Sequence, residues 1–242
     1  MTETTGRFRC LSGSTLKIIA VCAMAIDHFA ASIVYYKILL PEFSQMQGVI
    51  QVSNWLIAYQ IMRMIGRIAF PIFCFLLVEG FLHTSNRKKY AFRLFLFALI
   101  SEFPFDLALF NAPVDWGYQN VFFTLLIGLL VIWAMDAAKE LRFHFPLQAA
   151  AILAGGALAY VLKTDYDYKG IIVIVVLYCF RYNRVLRTVI GCLSLLWEAP
   201  ACLAFIPINL YNGKRGLSLK YFFYAFYPVH LLIYAAIMRF AF

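Results

Sequence analysis

Long apolar runs separated by short polar segments dominate the chain, at approximately 16–38, 61–82, 90–110, 120–138, 146–163, 169–181, 185–199, 200–212 and 220–240. A helix crossing a bilayer needs about 20 mostly apolar residues. The pattern therefore predicts about nine transmembrane helices. Eight or ten remain open, because the seventh and eighth runs are short and adjacent. Lipid offers no partners to backbone N–H and C=O groups, so such runs form helices or a closed barrel. Their unbroken hydrophobicity lacks a barrel's alternation. The expectation is an all-α, polytopic integral membrane protein with a single domain over residues 1–242. Residues 41–60 mix Glu42, Gln45, Gln47, Gln51 and Asn54 with apolar side chains and read as an interfacial, re-entrant or connecting segment.

Composition agrees: 64% of the residues are hydrophobic and 14% charged, well outside soluble globular averages. No stretch is polar enough for a separate soluble catalytic domain. The first run is long, contains Asp27 and His28 and lacks a cleavage site, so a secretory signal peptide is not expected. The net charge of +9 is explained by topology. Arg7, Arg9 and Lys17, then Arg87, Lys88, Lys89 and Arg93, Lys139 and Arg142, Arg181, Arg184 and Arg187, and Lys214, Arg215 and Lys220 all fall on one side of a nine-span arrangement. The positive-inside rule then places the amino terminus in the cytoplasm and the chain in the cell membrane as a multi-pass protein. Nucleic-acid binding is not needed to explain the charge. The cysteines are scattered singly without metal or redox spacing, and no metal is expected.

Ionisable groups at bilayer depth are costly and mark function by default. At a 1.5 Å rise per residue, His28 lies about 16 Å beyond Lys17, Glu102 about 18 Å beyond Tyr90, and His230 about 15 Å beyond Lys220. The three share a layer near the midplane, which Asp27 joins and Arg67 and Asp106 approach from the far side. Glu102 and Asp106 are four apart and lie on one helix face, as do Arg63 and Arg67. The two arginines are expected counter-ions for the two carboxylates. Asp27 and His28 are neighbours and point about 100° apart, so Asp27 is not expected to orient His28. A partner on another helix, Glu102 or Asp106, would make His28 a candidate general base. Lys17 and His28 share one face, which suits a long ligand with a phosphorylated head among the basic loops, such as acyl-coenzyme A. Pro71, Pro104 and Pro228 lie close to the same layer and fit an internal chamber as well as ordinary kinks.

The segments L-K-I-I-A-V-C-A-M-A-I-D-H (16–28), G-R-I-A-F-P-I-F (66–73), V-E-G-F-L-H-T (78–84), N-V-F-F-T-L-L-I-G-L-L (120–130) and F-Y-P-V-H-L-L (226–232) together resemble the TraX family, which is related to the acyltransferase-3 membrane proteins. In those relatives an arginine precedes a catalytic histidine by eleven residues. Here Lys17 stands in that position, keeping the charge without the bidentate fork. The resemblance implies transfer of an acetyl group from cytoplasmic acetyl-CoA to an amine or hydroxyl reached from the outer face: a protein amino terminus, a glycan or a small amine. It implies His28 as base, Asp27, Arg67 and Glu102 as further catalytic groups, and Arg67 or Asn120 as oxyanion donor. Lys17, Arg63, Glu79, Arg87, Lys88, Asp106, Asn120, Thr124 and His230 would line the binding sites. Membrane lipid is an expected partner, and a homodimer is left open. The rival readings are a proton-coupled transporter or permease, whose pathways also use midplane charges and broken helices, and a non-enzymatic assembly factor whose buried charges only fix helix packing.

Overall fold

A computed structural model describes residues 9–45, 54–218 and 220–241. Helix α1, Gly13–Phe29, starts where the Ser12 hydroxyl accepts the Thr15 amide at 3.2 Å. It runs on as a π-helix, Ala30–Leu39, into α2, Leu40–Gln45. Helices α3, Asn54–Gly66, and α4, Ala69–His83, form one column broken at Arg67 and Ile68. Pro71 is the physical cause, since it has no N–H to offer the Arg67 carbonyl one turn back.

Helix α5, Arg87–Leu109, is capped by Asn86, and α6, Val121–Ala138, by Asn120, whose side chain accepts the Phe122 amide at 3.0 Å. Then come α7, His144–Val161, α8, Asp167–Cys179, and α9, Arg184–Ser194. A 3-10 segment, Leu196–Ala204, leads to α10, Phe205–Asn209, and the chain closes with α11, Lys220–Phe240. No strand occurs among the described residues, and the class is all-α.

Among the described residues, five segments are long and apolar enough to cross a membrane: Gly13–Ser44, Asn54–His83, Val121–Ala138, His144–Val161 and Tyr221–Phe240. Helix α5 has comparable length but carries Arg87, Lys88, Lys89, Arg93, Glu102 and Asp106. The thirteen residues of α8 extend about 20 Å, less than the roughly 30 Å hydrocarbon core.

The two short runs expected at 185–199 and 200–212 form a folded-back hairpin instead of two regular spans. Its base is tied where Arg187 donates to the Asn209 side chain, which in turn donates to Thr188 at 2.9 Å. Its tip opens at Glu198, whose φ of −144° and ψ of 59° leave the helix just ahead of Pro200. The 41–60 segment likewise divides. Residues 40–45 extend the first column, residues 54–60 belong to α3, and Gln47 and Gln51 lie outside the described residues.

The helix ends carrying the basic clusters gather at one end of the bundle. There Asp136 is paired with Arg87 at 2.8 Å and Lys139 at 2.6 Å. Arg181 lies 4.3 Å from the ring centroid of Tyr178, which donates to Asp136. Leu11 and Asn212 are joined backbone to backbone at 2.9 Å. Arg7 lies outside the described residues. At the far end Tyr36 donates to the Leu109 carbonyl and Tyr118 to Asp165.

The core sits where α6 packs against α4, α5 and α8, and α1 against α3, α4 and α11. Helix α7 buries little beyond Gly155 and Ala159. Gly66 permits the crossing of α1 and α3, for a Cβ there would stand 2.2 Å from Asp27 Cβ. Gly66→Ala is expected to cost about 1–3 kcal/mol of stability through overpacking, read as a lowered thermal midpoint in detergent. Gly156→Ala, whose added Cβ meets Tyr168 at an ordinary 3.6 Å, is expected to leave that midpoint unchanged.

Candidate functional site

Two cavities stand back to back inside the bundle. The far-end chamber has a volume of about 340 Å³ and is lined by Asp27, His28, Arg63, Arg67, Asp165 and Tyr166 among others. The basic-end chamber, about 590 Å³, is lined by Lys17, Glu79, His83, Tyr90, Arg93 and Arg215 among others. Met24, Phe73, Val121 and Tyr227 line both and form their common wall.

His28 is buried in the far-end chamber on the last turn of α1, where regular helix gives way to π-helix. Such wide turns recur at functional sites. The Ser32 hydroxyl donates to the His28 carbonyl, satisfying a group that the change of helix type displaces. His28 Nδ1 meets His230 Nε2 at 2.7 Å, with the ring planes 5° apart and centroids 5.0 Å apart, an edge-on coplanar pair.

His230 Nδ1 lies 2.7 Å from the Phe226 carbonyl oxygen. A carbonyl can only accept, so His230 Nδ1 carries the proton. In neutral His230, Nε2 is then the acceptor, and His28 Nδ1–H must donate to it. This chain of two bonds leaves the lone pair of His28 on Nε2, the ring nitrogen without a hydrogen-bond partner among the described residues.

The expected carboxylate partners of His28 are elsewhere. Glu102 accepts from the backbone and side chain of Asn120 and lines neither chamber. Asp106 accepts the Asp115 amide at 2.9 Å and fastens the 110–117 loop. The clamp expected between these acids and the two arginines is absent as well. Arg63 pairs with Asp27 at 2.6 Å and Arg67 with Glu198 at 2.8 Å. The reason is geometric: the break at Arg67 turns α3 toward α1 and aims Arg67 at the tip of the 184–210 hairpin.

Asn120 donates its side-chain amide to the Ala98 carbonyl at 2.8 Å and is spent as a cap. Thr124 donates to the Asp165 carbonyl. Lys17 lies 5.4 Å from the Phe223 ring centroid in the basic-end chamber, which Glu79 also lines. Arg87 packs 4.2 Å from the Phe81 ring centroid beside Asp136, and Lys88 is exposed; neither lines a chamber.

Asp165, Tyr166, Glu198 and Tyr227 were not legible as site residues. Lys163, Tyr166 and Asp167 adopt left-handed φ values of 53°, 66° and 50°, conformations that cost non-glycine residues free energy and cluster at functional sites. They turn Tyr166 flat onto Phe70, with centroids 3.7 Å apart, and bring Asp165 into the chamber. The run K-T-D-Y-D-Y between two apolar stretches was the available signal. For Glu198 it was a lone acid before Pro200, and for Tyr227 its place before Pro228.

Burial pushes the Asp165 carboxyl up to about 7, opposed by the Tyr118 hydroxyl that donates to it at 3.0 Å and reinforced by the Asp27 carboxylate. The folded state therefore holds a proton that the unfolded chain releases near its ordinary value of 3.8. That contribution is complete below the unfolded value and is lost as pH rises through the folded one. Wild type is expected to lose about 5 °C of thermal midpoint between pH 5 and 8 relative to Asp165→Asn, whose curve should lack this component.

The TraX protein family matches residues 12–238. Over 92% of its length the chain is 29% identical to a protein of Dichelobacter nodosus named probable fimbrial assembly protein FimC, serogroup H1, and the match covers 93% of that relative. No solved structure matches. A family match that runs from the cap of α1 almost to the end of α11 takes in both chambers and the wall between them, and on it the chain belongs to the TraX family.

Proposed function

We propose that the protein is a multi-pass acyltransferase of the cell membrane. It moves an acetyl group from acetyl-CoA, bound at the basic end, to an acceptor held in the far-end chamber. The observation that carries the reading is the Phe226 carbonyl–His230–His28 chain. It gives a buried histidine one tautomer and a free Nε2 in a chamber that meets a second, basic chamber at a common wall. No metal takes part.

The basic end faces the cytoplasm by the positive-inside rule, with the amino terminus on that side. Lys17, Arg93 and Arg215 in the basic-end chamber suit the phosphates of coenzyme A, and its apolar walls suit the pantetheine arm. His28 Nε2 takes the proton of the acceptor as that group attacks the thioester carbonyl. His230 holds the ring in place and shares the positive charge that develops on it.

The name of the Dichelobacter relative favours a fimbrial subunit as acceptor. A far-end chamber of about 340 Å³ admits an extended chain end and excludes a folded domain. An amino terminus fits these walls, with Asp27 and Asp165 beside it. A glycan hydroxyl or a small amine is the alternative.

Back-to-back chambers reaching toward opposite ends are also the arrangement of a transporter, and this observation keeps a proton-coupled permease as the second reading. Purified protein is expected to release free thiol from acetyl-CoA only when membrane extract supplies an acceptor. His28→Ala should lower that rate by about 10²–10⁴-fold while acetyl-CoA affinity stays within about threefold. Solute uptake into proteoliposomes driven by a pH gradient, without thiol release, would select the permease.

A further inference from the structure

Resting on the acyl-transfer reading, we infer that the wall between the chambers is an oxyanion site, built from the Tyr227 hydroxyl and the Val121 amide. A donor in one chamber and an acceptor in the other can react only where the chambers meet. Four residues line that meeting place, and Met24 and Phe73 bring it no hydrogen-bond donor. Val121 and Tyr227 do.

Val121 is the first residue of α6, so its N–H has no partner within the helix. Asn120 caps the next amide, that of Phe122, and the Val121 N–H is directed toward the Tyr227 hydroxyl oxygen without a well-formed bond. The eighteen-residue α6 also presents the positive end of its dipole there. An N-terminus alone would not make a site, but Tyr227 supplies an independent observation. Its side chain is only 3% exposed. Its hydroxyl lies beside the Val121 amide and is sealed from solvent without a well-formed hydrogen bond.

A buried donor left unsatisfied costs about 1–3 kcal/mol, and a ligand oxygen at this point would relieve that cost. The Tyr227 ring is fixed edge-on to both His28, with centroids 5.7 Å apart, and Phe122, 5.1 Å apart. Base and oxyanion donor are thereby held on one wall.

Arg67, the donor expected from sequence, is committed to Glu198, and Asn120 to Glu102 and Ala98. In the step, His28 Nε2 takes the acceptor proton and the acceptor lone pair forms the new bond to the thioester carbon. The carbonyl π pair moves onto oxygen, where Tyr227 O–H and Val121 N–H donate to it. Collapse restores the carbonyl and breaks the C–S bond. The departing thiolate takes the proton from His28, leaving acylated acceptor and free coenzyme A thiol.

Two substitutions test the site in the full-length protein, read by thiol release from acetyl-CoA with acceptor present and by thermal midpoint. Tyr227→Phe removes one donor. Val121→Pro removes the other, at a helix position where proline is well tolerated; Asn120, with φ −63° and ψ 162°, already has the extended backbone that a following proline requires. Val121→Pro is expected to keep its melting midpoint and Tyr227→Phe, relieved of the unsatisfied donor, to raise it; each should keep its KM for acetyl-CoA within about threefold and lose kcat by about 10²–10³-fold.

If wild type is active and both folded variants retain kcat within about threefold, or if KM rises while kcat holds, the site is not an oxyanion hole. Should Tyr227→Phe fail to fold, Val121→Pro decides by the same criterion. A wild type that releases no thiol under any condition removes the acyl-transfer reading itself, and the inference with it.

Discussion

A charge surrounded by hydrocarbon has to find its partner inside the protein, and the far-end chamber is organised by that requirement. Arg63 meets Asp27 and Arg67 meets Glu198. Each pair joins elements far apart in sequence, α3 to α1 in the first case and the α3–α4 break to the hairpin tip in the second. Removing one member would leave the other buried without a counter-charge, which costs about 3–5 kcal/mol where burial is deep. Both pairs are partly exposed and are worth less than that, but they fix which helix faces meet. The neutral pair His28 and His230 obeys the same rule by a different route, ending at a backbone carbonyl instead of a carboxylate.

Helix content was legible because apolar runs of that length admit little else. The basic clusters foretold which helix ends gather together. The hairpin at 184–210 was not legible, since two apolar runs with a proline between them look alike whether they cross a bilayer or fold back halfway. The π-helix after His28 carries no residue signal at all.

Of the site, the layer shared by Asp27, His28, Arg67 and His230 was readable from counting rise per residue. Partner choice was not. Depth says which groups lie at one level but nothing of azimuth, and azimuth put Glu102 against Asn120 and His28 against His230. The break at Pro71 rotated Arg67 away from the acids of α5. Asp165 and Glu198 do not lie in the middle of helices, where bilayer depth marks an ionisable group: Asp165 enters the chamber from a loop, and Glu198 reaches Arg67 from a hairpin tip.

The wall of Met24, Phe73, Val121 and Tyr227 also bears on what the protein must not do. It is the thin point of a bundle hollowed from both ends; in the proposed membrane setting, any ion able to cross it would discharge the gradient. Its faces are sulfur, phenyl and branched alkyl, with one hydroxyl and one amide as the polar groups available to a hydrated ion at the wall itself. A carbonyl compound lodged between those two donors would occupy the same gap and act as its stopper, so the seal would hold while the chambers are in communication.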